Sequence, residues 1–160
     1  MPLVRRALAL AVVLGLLVAP QDARSGPIAV AVGEQANGFA CRCSISDDGR
    51  YVVFESEATN LVPNDTNDER DVFVRDRQEG RTVRVSVSST GEQSNGFSHA
   101  AQITGDGRYV AFSSGGSNLV PGDANGYGDV FVYDLASGET ERVSLIGGAE
   151  MDGSASLEDI

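Results

Sequence analysis

Asp48-Gly49-Arg50-Tyr51-Val52-Val53-Phe54 is followed 58 residues later by Asp106-Gly107-Arg108-Tyr109-Val110-Ala111-Phe112. The echo extends in both directions without a gap, so that residues 33–90 lie over residues 91–148 with 30 of 58 positions identical. Gly33-Glu34-Gln35-x-Asn37-Gly38-Phe39 returns as Gly91-Glu92-Gln93-x-Asn95-Gly96-Phe97, Asn60-Leu61-Val62-Pro63 as Asn118-Leu119-Val120-Pro121, and Asp71-Val72-Phe73-Val74 as Asp129-Val130-Phe131-Val132. A fixed period of this kind signals a repeat architecture, in which one supersecondary unit is copied and stacked.

Each repeat predicts four extended segments. They run Cys41 to Ser46, Tyr51 to Ser56, Asp71 to Asp76 and Thr82 to Val87, matched by His99 to Thr104, Tyr109 to Ser114, Asp129 to Asp134 and Thr140 to Leu145. Asp48-Gly49 and Asp106-Gly107 suit the first hairpin, because glycine accepts positive φ without steric cost. Gly80 and Gly138 serve the same purpose between strands three and four. Val72-Phe73-Val74 is a continuous apolar run, as expected of a strand covered on both faces. Val83, Val85 and Val87 alternate with Thr82, Arg84 and Ser86, which predicts a half-exposed outer strand. The first strand is small-sided at Ala100 and Ala101, which suits a crowded inner position. Inner crowding, covered middle strands and an outer edge describe a propeller blade, so the fold class is all-β, an incomplete β-propeller of two four-stranded antiparallel blades.

These residues also resemble a family. Ser46-Asp47-Asp48-Gly49-Arg50-Tyr51-Val52-Val53-Phe54 and its copy are similar to the S-P-D-G-[KR]-x-[VIL]-x-F signature of TolB-type β-propeller repeats, whose blades are WD-repeat-like. Asp-Val-Phe-Val-x-Asp followed by Gly-x-Thr-x-x-Val-Ser looks like the remainder of such a blade. Two departures stand out: the usual proline is Asp47 or Gly105, and a long segment joins strands two and three in each repeat. The resemblance implies a binding or scaffolding propeller. It also implies an alternative, the propeller part of a larger secreted hydrolase or peptidase, since related propellers gate serine peptidases.

The ends complete the domain plan. Arg5 and Arg6 precede an unbroken run of 13 apolar or glycine residues, Ala7 to Ala19. That is too short to span a bilayer and reads as a signal peptide over residues 1–25, cleaved after Ala23 or Ser25. Residues 26–32 form a short linker, 33–90 and 91–148 the two blades, and 149–160 the start of a third, with Asp152-Gly153 laid on Asn95-Gly96. Export to the periplasm, the cell surface or the medium follows. A propeller needs about four to eight blades, so the pattern expects further blades of a longer protein, or self-association, to close a ring.

Loss of residues 1–25 removes three arginines and one aspartate and takes the net charge from −11 to −13. So acidic a surface repels phosphate backbones, which argues against a nucleic-acid partner. After signal cleavage no membrane span is expected.

Candidate chemistry is sparse. The segments Pro63 to Asp71 and Pro121 to Asp129 both carry D-x-N-x-x-x-D, placing Asp65, Asn67 and Asp71 in one repeat and Asp123, Asn125 and Asp129 in the other. Hard cations take six to eight oxygens, and Asp-x-Asn spacing aims two side-chain oxygens inward while the chain turns, so both loops are candidate Ca²⁺ sites. On that reading the protein is a calcium-stabilised extracellular surface or adhesion protein. The plainer reading makes Asp65 and Asn67 Asx-turn formers and pairs Asp71 with a nearby arginine. Gly96-Phe97-Ser98-His99-Ala100 faintly matches a nucleophile elbow, but a strand follows where a helix is required and the only histidine adjoins the serine. No nucleophile with its base is present, and the chain is expected to be non-catalytic. Cys41 and Cys43 are spaced to share one face of a strand, as half a zinc site or as two small buried residues. Arg50 and Arg108 are placed to pair with Asp76, Asp134 or the loop carboxylates.

Overall fold

The computed structural model describes residues 35–157, so the signal segment, the linker and residues 158–160 lie outside the described residues. Ten strands are described. They are β1 (Ala40–Ile45), β2 (Tyr51–Ser56), β3 (Asp71–Asp76), β4 (Arg81–Arg84), β5 (Ser98–Ile103), β6 (Tyr109–Ser114), β7 (Asp129–Asp134), β8 (Thr140–Arg142), β9 (Leu145–Ile146) and β10 (Ala149–Glu150). They form two four-stranded antiparallel sheets in the orders β1-β2-β3-β4 and β5-β6-β7-β8, plus the small β9-β10 hairpin. Each four-stranded sheet is one repeat and one blade of an incomplete β-propeller.

The repeat is reproduced down to its hydrogen-bond register. Phe54 lies opposite Phe73 and Phe112 opposite Phe131, with ring centroids 5.7 Å and 5.8 Å apart. The Asp-Gly hairpins close with positive φ at Gly49 and Gly107, and Asp48 and Asp106 each accept the backbone N–H two residues on. The triple Val72-Phe73-Val74 is buried throughout. Burial of both its faces, at roughly 1.5–3 kcal/mol per side chain, is what the unbroken apolar run reports.

The blades stack face to face. Val53, Val72, Val74 and Val85 of the first meet Ala101, Ile103, Val110, Phe112 and Phe131 of the second, with Leu119 beside them. Strand β5 lies across β1, β2 and β3. This stacking explains why the first repeat has Asp47 where the resembling signature has proline. Asp47 donates its backbone N–H to the Gly105 carbonyl of the next blade at 2.8 Å, a bond that proline cannot make.

Two expectations are corrected. Thr82, Arg84 and Ser86 are buried, not exposed: Arg84 and Ser86 turn onto the long β2–β3 loop and the Asp71 that ends it, and Thr82 accepts from Arg75 on β3. The cysteines do not share a face. A bulge at Arg42, whose φ is +41°, places Cys41 opposite Glu55 and Cys43 opposite Phe54. Glu55 and Phe54 are adjacent, so their side chains leave opposite faces of β2. The copy at Ala100, φ +54°, shows that the bulge belongs to the repeat.

Strand bounds also shift. The ladder of the fourth strand ends at Arg84 in the first blade and Arg142 in the second. Beyond β10, residues 151–157 add no strand, but they dock where the start of a third blade belongs. Ala155 donates to the Gly128 carbonyl at 2.8 Å, as Ser98 does to the Arg70 carbonyl at 2.7 Å.

Candidate functional site

The two acidic loops are built alike. In the first, Asn64 and Asp68 take positive φ, and in the second Gly122 and Gly126 do so at the matching positions. Asn67 Oδ1 accepts the Glu69 N–H at 3.1 Å and Asn125 Oδ1 the Tyr127 N–H at 2.9 Å, so both asparagines make the Asx turns their sequence suggests. The turns carry Asp65 and Asp71, or Asp123 and Asp129, inward.

An arginine lies where the carboxylates converge. Arg84 Nη1 is 3.1 Å from Asp65 Oδ1 and 3.1 Å from Asp71 Oδ2, and Arg84 Nη2 donates to the Asn64 carbonyl at 3.2 Å. Ser86 Oγ donates to Asp71 Oδ1 at 2.6 Å. In the second blade Arg142 Nη1 stands 3.3 Å from Asp123 Oδ1 and 3.2 Å from Asp129 Oδ2, with Ser144 on the other Asp129 oxygen. The sequence brings together the residues named for calcium, yet it also sets a guanidinium among them. Among the described residues no three or more His, Cys, Asp or Glu side chains are spaced to hold a metal ion. Burial pushes the Asp65, Asp71 and Asp123 carboxyls above their ordinary range, against the pull of the arginines. Desolvation therefore outweighs the single guanidinium in each loop.

Each loop also grips the next repeat. Gln93 Nε2 donates to Asp65 Oδ1 at 3.0 Å and Asp71 Oδ2 at 3.2 Å, its Oε1 accepts the Thr66 N–H at 3.3 Å, and Asn67 Nδ2 donates to the Ser94 carbonyl at 3.0 Å. At the second loop Asn125 Nδ2 donates to the Met151 carbonyl at 2.9 Å and Ala124 N–H to Glu150 Oε1 at 2.9 Å. Glu150 Oε1 also pairs with Arg142 Nη1 at 2.6 Å. We call this unit a clasp: two aspartates, an arginine and a serine of one blade closed on the start of the next.

Sequence reading missed Arg84, Ser86 and Gln93 as site residues. The signal was present, since Arg84 and Ser86 recur as Arg142 and Ser144. It missed a second pairing as well. Asn60 Oδ1 accepts the Asn37 N–H at 3.0 Å and Asn60 Nδ2 donates to the Gln35 carbonyl at 2.9 Å. Asn118 repeats this on Asn95 and on the Gln93 carbonyl. Thus Asn-Gly-Phe and Asn-Leu-Val-Pro are two halves of one contact.

The remaining candidates fall outside the clasps. Ser98 is fully buried and donates to Ser114 Oγ at 3.0 Å, while His99 stacks on Phe97 with ring centroids 5.2 Å apart. Cys41 Sγ lies 3.8 Å from buried Glu55, and Cys43 is exposed. Arg50 binds Asp76 through Nε and Nη2, and Arg108 binds Asp134 likewise. A groove of about 680 Å³ runs beside the inner strands between Arg42, Cys43, Ser44, Ala100, Gln102 and Leu157.

No family model matches the chain, and no curated protein matches it. Among solved structures, TolB from Acinetobacter baumannii is similar at 14% identity and a TM-score of 0.42, over 66% of this chain and 21% of that one. The chain thus spans about a fifth of that protein's length. The blade assignment rests on the two sheets and their register, not on this likeness. No helix among the described residues is long and apolar enough to cross a membrane.

Proposed function

We propose that this chain is an exported, non-catalytic, TolB-like β-propeller segment that serves as a binding scaffold. One observation carries the reading: matching clasps close the first blade on the second and the second on the segment that follows it, and the inner strands flank an open groove. A repeat that spends its polar side chains on its own junctions is organised for stacking, and stacked repeats present extended binding surfaces. Export rests on the Arg5-Arg6 start and the apolar run that follows it.

The D-x-N-x-x-x-D loops are, on this reading, internal clasps and not calcium cages. Arg84 and Arg142 each place one positive charge where a cation would sit between the loop carboxylates. A photo-crosslinking side chain at Gln102, beside the groove, tests the scaffold in cells that export the protein, with Glu141 on the outer edge as control. A discrete adduct from position 102 alone supports it. Identical adducts from both positions, or none, refute it.

A further inference from the structure

The interface between the two blades is a template whose halves are both repeated elsewhere in the chain. Ile103 is 9% exposed against the first blade, but Ile45, its counterpart 58 residues earlier, is 52% exposed. Val85 and Val87 are 0% and 7% exposed beneath the second blade, whereas their counterparts Val143 and Leu145 are 46% and 39% exposed. One side of the stack therefore presents an open copy of the face that β5 and β6 use. The other side presents an open copy of the face that receives it.

The clasps show the same relation. In the first junction the Gln93 amide donates to both aspartates. In the second, Glu150 stands in its place and has no N–H to give, and buried Asp123 Oδ2 has no hydrogen-bond partner among the described residues. A side-chain amide at the matching position exists in Gln35. It is exposed, and its carbonyl is already held by Asn60 Nδ2 at 2.9 Å, as the Gln93 carbonyl is held by Asn118 Nδ2 at 2.8 Å. The segment is pre-set in the conformation that the clasp grips.

We propose that the chain associates head to tail with a second copy of itself. Gln35 of one copy enters the Asp123–Asp129–Arg142 clasp of the next and displaces residues 150–157, including Ala155 on the Gly128 carbonyl, and the Ile45 face covers Val143 and Leu145. The proposal rests on the propeller reading. It repeats an interface already formed inside the chain, and such a heterologous contact closes a ring when its rotation allows.

The test is sedimentation velocity on the signal-free chain and on Ile45→Asp and Val143→Asp, with far-UV circular dichroism and thermal melts as fold controls. Both positions are exposed, so the variants keep the parent spectrum. The parent forms a discrete oligomer, and each variant alone is monomeric. Mixed, they give a one-to-one dimer and nothing larger, because one intact head meets one intact tail. Gln35→Glu weakens association by about tenfold or more, the size of one lost anchor, and serves if an aspartate variant misfolds. A folded parent that stays monomeric overturns the proposal and leaves the blades intact. A parent without β structure overturns both. A mixture that gives no dimer, or that regains the full oligomer, overturns the head-to-tail geometry.

Discussion

Gln93 donates its amide to Asp65 at 3.0 Å, from the first residues of one repeat to the loop of the repeat before it. The bond makes a blade junction out of two motifs that lie 28 residues apart and belong to different units. Asp65 is held by that amide and by Arg84, and the Asp65 and Arg84 side chains are buried while Gln93 is half-buried. The junction therefore has consequences for stability that each motif read alone does not suggest.

Arg84→Met leaves Asp65 and Asp71 buried without their cation. Removing one partner of a buried pair costs about 3–5 kcal/mol, so the urea midpoint falls sharply in equilibrium unfolding. Replacing Asp65, Asp71 and Arg84 together by apolar residues of similar volume costs far less, because no unpaired charge remains. Equal losses in the two variants would contradict the clasp as described.

Calcium discriminates between the two readings of the loops. With Arg84 and Arg142 in place, neither chelator nor millimolar calcium moves the melting temperature. A rise that saturates with calcium and disappears in Asp65→Ala or Asp123→Ala would establish a cation site instead.

Acid acts through Asp76. Arg50 holds its carboxyl well below the usual range, at about 2. A folded-state pKa below the unfolded value contributes stability that is present above the unfolded pKa and lost as pH falls through the folded one. The loss therefore falls between about pH 4 and pH 2. Asp76→Asn is less stable at neutral pH and shows a shallower decline over that window, measured by urea midpoints at each pH.

Gly38 lies against the chain. A methyl group there would stand 2.6 Å from the Ala58 nitrogen and 2.7 Å from its Cα, and backbone cannot give way as a flexible side chain can. Gly38→Ala and Gly96→Ala each cost roughly 1–3 kcal/mol, as overpacking does, read as a drop in melting temperature. Neutral substitutions would show that the Asn-Gly-Phe turn tolerates separation from the second strand.

Asp47→Pro restores the residue usual in the resembling signature, yet it is destabilising here. It removes the N–H that binds the Gly105 carbonyl, at a net cost of about 1 kcal/mol. A melting temperature at or above the parent's would mean that this bond contributes nothing.

The strands were legible because their signals are local. Apolar runs, Asp-Gly turns and the 58-residue echo report steric and burial preferences of neighbouring residues, and the echo doubles each signal. Two features were misread where a local rule met a tertiary one. The alternation in Thr82 to Val87 was read as a wet edge, but a polar residue is equally at home under a loop that satisfies it. The spacing of Cys41 and Cys43 promised one face until a bulge at Arg42 moved the register.

The amino-acid sequence by itself determined the repeat, the four strands of each blade and the turn chemistry of the acidic loops, since these follow from backbone and burial preferences within a few residues. Only the tertiary structure decided what the loop carboxylates face. Asp65, Asn67 and Asp71 have the same spacing whether they surround a metal ion or a guanidinium. Arg84 on β4 and Gln93 in the next repeat reach these carboxylates only when the blade closes and its neighbour stacks on it.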